Sequence, residues 1–372
     1  MKKFYLSFII FSLLCAFNTA SAIGTSIIKV RTNNPTGKVL HIKALIYGGI
    51  DNEGDEIDDD PKENVNISFE GANIVHSKNQ DLWIELKSKD FIIKGDLNYL
   101  DLTACNVEGT DLSQATRLHE IHLDQNPIST FNPSEAPKLT VIWLSDCKNI
   151  KKLNLKGAKY LKGISLQNTS IEEIDFSGAE QIENLYLGDN PKLNTIDLTN
   201  MINLRELFVN GNNINKLDIA KCTLLERLEC SKNNLSELDL STNSKLEFIS
   251  CWGNKIKGKS MDKLISSLSK KEPDGTEYEL CIYNKYYKNE GNILTEAQAK
   301  DVKARGWIPK QAEGNMDFFT WVEFKGTSAG INTIKLSKDT ANGQWYDLCG
   351  RKIEKPTNSG IYIHNGKKIF LR

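Results

Sequence analysis

The sequence predicts a β-rich solenoid of about eight coils, each 21–22 residues long, with a parallel sheet on its concave side, an N-terminal β cap, a C-terminal α/β cap and a small β tail. Three observations predict it. One apolar template recurs eight times at nearly constant spacing between residues 97 and 257. The middle of each copy alternates apolar and polar residues, the period of a strand with one buried face. The flanks abandon that spacing and take up other patterns.

The first segment, 1–22, has the form of a signal peptide. Lys2 and Lys3 precede an apolar run from Phe4 to Phe17, and Ala20-Ser21-Ala22 supplies the small residues of a cleavage site, so the mature chain is expected to begin at Ile23. The run is short for an uncleaved membrane anchor. Leu14 before Cys15 is bulky for a lipoprotein site. Loss of Lys2 and Lys3 leaves 45 basic against 48 acidic residues, with no basic excess to hold nucleic acid. No later segment is long and apolar enough to span a bilayer.

Residues 23–96 lie outside the period. Alternating stretches such as Val39-Leu40-His41-Ile42-Lys43-Ala44-Leu45-Ile46 predict a small antiparallel β cap over the N-terminal end of the solenoid. The loop Asp51–Asp60 is acidic. It lacks EF-hand spacing and reads as a solvated charge run, with a calcium loop as the alternative.

The repeats follow over 97–257. Their first positions are Leu97, Leu118, Leu139, Leu161, Ile182, Leu204, Leu225 and Leu246. The copy Leu225, Leu228, Cys230, Asn233, Leu235, Leu238, Leu240 shows the template, L-x-x-L-x-L-x-x-N/C-x-L, the leucine-rich repeat. Such a coil has no core of its own, and stacking buries its leucines as continuous columns. Asn126, Asn190, Asn212, Asn233 and Asn254 are expected to form one ladder, with Cys105, Cys147 and Thr169 at the same position. Twenty-one residues leave no room for a full helix, so the convex side is expected to hold short extended stretches such as Leu153-Asn154-Leu155.

Over 258–328 the pattern turns helical. Met261, Leu264, Ile265 and Leu268 share one face, Thr295-Glu296-Ala297-Gln298 is a capping box, and Gly306 is a stop. Residues 329–372 form the β tail.

The stretch Leu225–Ser241 resembles the 21-residue repeats of bacterial internalin-type adhesins and, more closely, exported leucine-rich-repeat proteins of Bacteroidota-type bacteria. Gly291-Asn292-Ile293-Leu294-Thr295 through Gly306-Trp307 resembles the C-terminal cap of the latter. Trp345–Ile353, Ser359–Ile363 and Lys367–Arg372 resemble a C-terminal sorting domain of the type IX secretion system, with a plain terminal β module as the alternative reading. The resemblance implies a surface or secreted interaction protein. It leaves the partner open, because fold does not set function.

The residues give little to catalysis. His119-Glu120-Ile121-His122 is one residue short of a metalloprotease HExxH, and on a strand its histidines fall on opposite faces. No nucleophile elbow, phosphate loop or CxxC is present, and seven mature cysteines at wide spacing do not make a disulfide framework. Neither cofactor nor metal is expected. Cys230 and Cys251 are expected as buried thiols, with pairing left open.

The residues flanking the inward leucines face the concave side. Trp143, Tyr186 and Phe208 fall in one column, with Phe248 and Trp252 beside it near the C-terminal end and His122 and Arg227 among the polar neighbours. Exposed rings on a rigid scaffold either bind something or pack along the strand ladder. The leading expectation is non-catalytic binding of a protein or glycan by an exported monomer. The alternatives are a structural spacer or stalk touching its target through the flanks, and, least of all, a hydrolase using His41 or His76.

Overall fold

The structure, a computed structural model, describes residues 26–45, 67–78, 81–314, 319–327, 345–346, 352–354, 360–364 and 367–371. The expected signal peptide and the acidic loop lie outside the described residues. The chain divides into two units, Met1–Gly326 and Thr327–Arg372.

In the first unit, strands β1 (Ser26–Thr32), β2 (Val39–Leu45), β3 (Ser68–Glu70), β4 (Ala72–Lys78), β5 (Asp81–Leu86) and β6 (Asp90–Gly95) precede the repeats. Alternation decides which way each faces. Leu82, Ile84 and Leu86 of β5 are buried, as are Leu40, Ile42 and Ala44 of β2. β4 pairs with β5 and β5 with β2, and β2 pairs antiparallel with the first repeat strand, β7 (Tyr99–Asp101), Ala44 opposite Leu100. β8 (Val107–Gln114) leaves the first coil to pair with β1, completing a second sheet in the order β3-β6-β1-β8.

The other repeat strands on the concave side are β9 (Glu120–His122), β10 (Val141–Trp143), β12 (Gly163–Ser165), β14 (Asn184–Tyr186), β15 (Glu206–Phe208), β16 (Arg227–Glu229) and β17 (Phe248–Ser250). Each pairs parallel and in register with the next, so eight strands are joined by seven turns of the solenoid. Leu100, Ile121, Ile142, Ile164, Leu185, Leu207, Leu228 and Ile249 stack as one buried column. Each such side chain contributes about 1.5–3 kcal/mol when taken out of water.

The asparagine ladder is present. Asn190 Nδ2 donates to the carbonyls of Leu166 (2.8 Å) and Leu187 (3.0 Å), and its Oδ1 accepts from Thr169 N (2.9 Å). The amides of Asn126, Asn212, Asn233 and Asn254 repeat the pattern. Each satisfies backbone groups that the departing chain would strand. Cys147 does part of the same work, its Sγ donating to Leu123 O at 3.1 Å. Before each ladder position, whether asparagine, cysteine or threonine, the backbone turns through the left-handed region, at Ala104, Gln125, Asp146, Asn168, Asp189, Gly211, Lys232 and Gly253. Ala104, Gln125 and Lys232 gain nothing from that conformation, at a cost of about 1–2 kcal/mol each.

On the convex side, among the described residues, only β11 (Lys152–Asn154) and β13 (Glu173–Asp175) pair as strands. The corresponding Leu198, Leu217, Leu238 and Leu240 are buried without a ladder between them. A second column that the repeat template does not include lies three residues before each leading position. It comprises Ala115, Ala136, Ala158, Ala179, Met201, Cys222 and Asn243, all buried.

Beyond residue 257 the parallel sheet continues through β18 (Glu279–Tyr283) and β19 (Ile308–Gly314), with β20 (Phe319–Glu323) closing antiparallel. These two coils are longer than the rest, and each carries a helix on its return path. Helix α1 (Lys259–Ser267) buries Met261, Leu264 and Ile265. Helix α2 (Glu296–Ala304) begins with the capping box of Thr295 and Gln298. Asn292 extends the asparagine ladder, its Nδ2 donating to Cys251 O at 2.8 Å while its Oδ1 accepts from Ile256 N.

The second unit holds β21 (Trp345–Tyr346), β22 (Lys352–Ile353), β23 (Gly360–His364) and β24 (Lys367–Leu371), an antiparallel sheet in the order β22-β21-β23-β24.

Candidate binding surface

Each concave strand presents two outward side chains, and a third follows two residues later, in front of the left-handed turn. The register stacks these into three columns. The central one runs Asp101, His122, Trp143, Ser165, Tyr186, Phe208, Glu229, Ser250.

Its rings pack on one another. His122 lies 5.0 Å from the Tyr99 ring and stacks on Trp143 at 5.3 Å, with 17° between the planes. Ser165, a small residue in the next coil, is buried between Trp143 and Tyr186, and Gly163 lies in the neighbouring column between Val141 and Asn184. Tyr186 then meets Phe208 edge to face at 5.1 Å. These rings are half-buried, and each spends part of its surface on a neighbour.

The polar groups divide along the axis. His122 Nε2 lies 2.6 Å from Glu120 Oε1. Asp124 Oδ1 accepts from Ser145 N at 2.6 Å, and burial, with a smaller push from the Asp101 carboxylate, raises the Asp124 carboxyl to about 6. Further along, the Tyr186 hydroxyl donates to Glu206, which lies 3.7 Å from Arg227 Nε. The Arg227 guanidinium sits over the Phe248 ring at 4.8 Å. Ser231 Oγ donates to Glu229 at 2.5 Å, and burial raises the Glu229 carboxyl.

Sequence reasoning thus placed Trp143, Tyr186, Phe208, His122 and Arg227 on one face, and the structure finds them there. Phe248 and Trp252 differ from expectation. They are 8% and 7% exposed and form a small core with Cys281, against which Tyr287 and Trp321 pack. The covering residues come from the longer C-terminal coils, which the eight-copy pattern does not describe. Outside the repeats, the outward face of β2, β5 and β4 continues the sheet with a further stack, His41 on Trp83 at 4.6 Å and His76 beside Trp83 at 4.8 Å. Nothing in the repeat pattern signals this group, although alternation in β2 and β5 does put His41 and Trp83 on one side.

His119, the other histidine of the HExxH-like stretch, is half-buried, and desolvation lowers its pKa. The six described cysteines are free and buried, and burial raises Cys105 and Cys222 to about 12 and Cys147 to about 11.

The architecture is a leucine-rich-repeat solenoid. No family model matches the sequence, and no curated protein matches it. Solved structures resemble part of the chain. The functional domain of InlJ from Listeria monocytogenes, which includes a cysteine ladder, has a TM-score of 0.41 at 22% identity, over 57% of this chain and 49% of that one. The plant peptide hormone receptor RGFR1, in complex with RGF2, has a TM-score of 0.40 at 15% identity, over 53% of this chain and 36% of that one. Human 5T4 (Wnt-activated inhibitory factor 1, trophoblast glycoprotein) has a TM-score of 0.41 at 14% identity, over 55% of this chain and 80% of that one. The chain therefore spans half or less of the first two.

Proposed function

We propose that this chain is an exported, non-catalytic binding protein that engages a protein or glycan partner on its concave face. The observation that carries the reading is the ring column. Four rings, His122, Trp143, Tyr186 and Phe208, stand in it on near-consecutive strands of one sheet, half-buried and packed on neighbours, and Tyr99 flanks them from the adjacent column. Aromatic groups held in place lose little entropy on contact and dominate binding hot spots. In this reading 1–22 directs export, 23–96 and 258–328 close the two ends of the solenoid formed by 97–257, and 329–372 serves as a sorting module. The protein acts as a monomer at the cell surface or beyond it, and needs no cofactor.

The test is a capture experiment with the mature chain against surface extracts, beside a Trp143→Ala/Tyr186→Ala/Phe208→Ala variant. The variant should lose the captured partner while keeping a cooperative unfolding transition. Equal capture by a folded variant would remove the concave face from the function.

A further inference from the structure

The repeats over 97–257 contain 21 carboxylates and 17 lysines and arginines. The concave positions, three per coil, hold five of those carboxylates, Asp101, Glu120, Asp124, Glu206 and Glu229, and a single base, Arg227. Everywhere else in the same stretch the two signs are equal, at sixteen each. The net negative charge of the solenoid therefore sits on the face that carries the rings.

That charge is answered unevenly. In the C-terminal half the chain supplies its own cations. Arg227 lies over Phe248 and reaches Glu206, and Lys232 Nζ lies 5.1 Å from the Trp252 ring. In the N-terminal half, Glu120 has His122, while Asp101 and Asp124 accept backbone hydrogen bonds from Thr103 and Ser145 and form no ion pair among the described residues. Lys43 stands opposite Asp101 across the β2–β7 pair but turns to Asp81 at 3.8 Å. The same mixture of ring and carboxylate that holds Arg227 internally recurs here without a basic side chain of the repeats to fill it.

Resting on the concave-face reading above, we infer that the partner is a protein segment, extended and rich in arginine or lysine, whose cationic heads meet Asp101 and Asp124 beside Tyr99 and Trp143. The concave carboxylates, with the stacking of His122 on Trp143, favour this over a neutral glycan. A sugar stacks on an open ring face, and here His122 and Trp143 cover one another. The carboxylates beside these rings suit an aliphatic stem ending in a cation. Eight strands at about 4.8 Å span about 34 Å, the reach of roughly ten extended residues.

The probe is a fluorescent ten-residue peptide alternating Arg and Thr, titrated into the full chain at about 50 and about 150 mM salt. Its counterpart with Glu for Arg and a neutral cello-oligosaccharide serve as the other arms. The Arg peptide should bind, more weakly at the higher salt. Asp101→Asn/Asp124→Asn, which keeps both acceptor oxygens, should weaken it tenfold or more. The convex pair Asp197→Asn/Asp218→Asn should change it less than twofold. Failure of the Arg peptide to bind, equal binding of the Glu peptide, or equal loss in both double variants would overturn the inference. Binding of the oligosaccharide alone, lost in Trp143→Ala, would overturn it while leaving the concave face as the binding site.

Discussion

Replacing Asn190 with alanine tests whether the asparagine ladder, and not the leucine columns alone, holds the coils together. Asn190 is fully buried. Its side chain serves the carbonyls of Leu166 and Leu187, and its Oδ1 takes both the backbone N–H and the hydroxyl of Thr169. Alanine would leave those backbone groups with no water within reach. A buried group stripped of its partner costs about 1–3 kcal/mol, and carbonyls with a second lone pair engaged elsewhere fall at the low end. The sum is about 3 kcal/mol. The chain supplies its own control, because cysteine occupies this ladder position at 105 and 147 and donates through sulfur. Asn190→Cys should therefore cost about half as much as Asn190→Ala. The assay is urea unfolding followed by far-UV circular dichroism, with hydrogen exchange at Thr169 to locate the loss. A cost for Asn190→Ala below about 1 kcal/mol, or an equal cost for the two variants, would refute the reasoning and assign the stability to apolar stacking alone.

Other outcomes follow from the same structure. The Asp124 carboxyl titrates at about 6 in the folded chain against an ordinary value of 3.8. The folded state therefore holds the extra proton between those values, and the wild type should gain about 2 kcal/mol as pH falls from 7 to 4. Asp124→Asn should be more stable than wild type at pH 8 by a similar amount and should lack that component of the pH profile, as urea midpoints at the two pH values would show. Trp252→Ala should cost about 3 kcal/mol, the penalty of emptying a core site, where an exposed contact residue would cost under 1. Thermal unfolding decides between the two. The six described cysteines should resist a thiol reagent in the native protein and react after denaturation, since burial both hides the sulfur and disfavours the thiolate. Mass mapping of native samples that found Cys230 or Cys251 labelled would contradict this.

The repeats were legible because their physics is periodic. A leucine every two residues and an asparagine every 21 leave a mark at fixed distances, so Leu100 through Ile249 and Asn126 through Asn254 stand out in the chain itself. The column from Ala115 to Asn243 has the same period, but alanine, methionine, cysteine and asparagine differ in size and polarity and share only their burial, and a search for one residue type passes over them. The two long C-terminal coils were hidden by their insertions. Leu280, Ile282 and Asn292 keep the chemistry of the template, while α1 and α2 stretch the spacing to about 30 residues. That omission explains Phe248 and Trp252. Their strand assignment placed them correctly on the concave side, and Tyr287 and Trp321, outside the period, then buried them.

Packing along the ring column changes what the concave face offers. An isolated surface tryptophan presents two faces and several rotamers, and a partner must order it at a cost of about 0.5–1.5 kcal/mol for each such side chain. Here the ordering is complete before contact, because Tyr99, His122 and Trp143 brace one another, as do Tyr186 and Phe208. In the proposed reading such a surface would gain affinity from rigidity and offer fewer broad apolar faces for indiscriminate sticking. Discrimination then falls to the carboxylates between the rings, whose partial burial makes each expensive to leave charged and alone. A partner that brings a cation relieves that cost, and one that brings a carboxylate deepens it. If the concave face is the binding site as proposed, the same ribbon of rings should select by charge, most strongly in the N-terminal half, where the chain places no arginine or lysine of the repeats against Asp101 and Asp124.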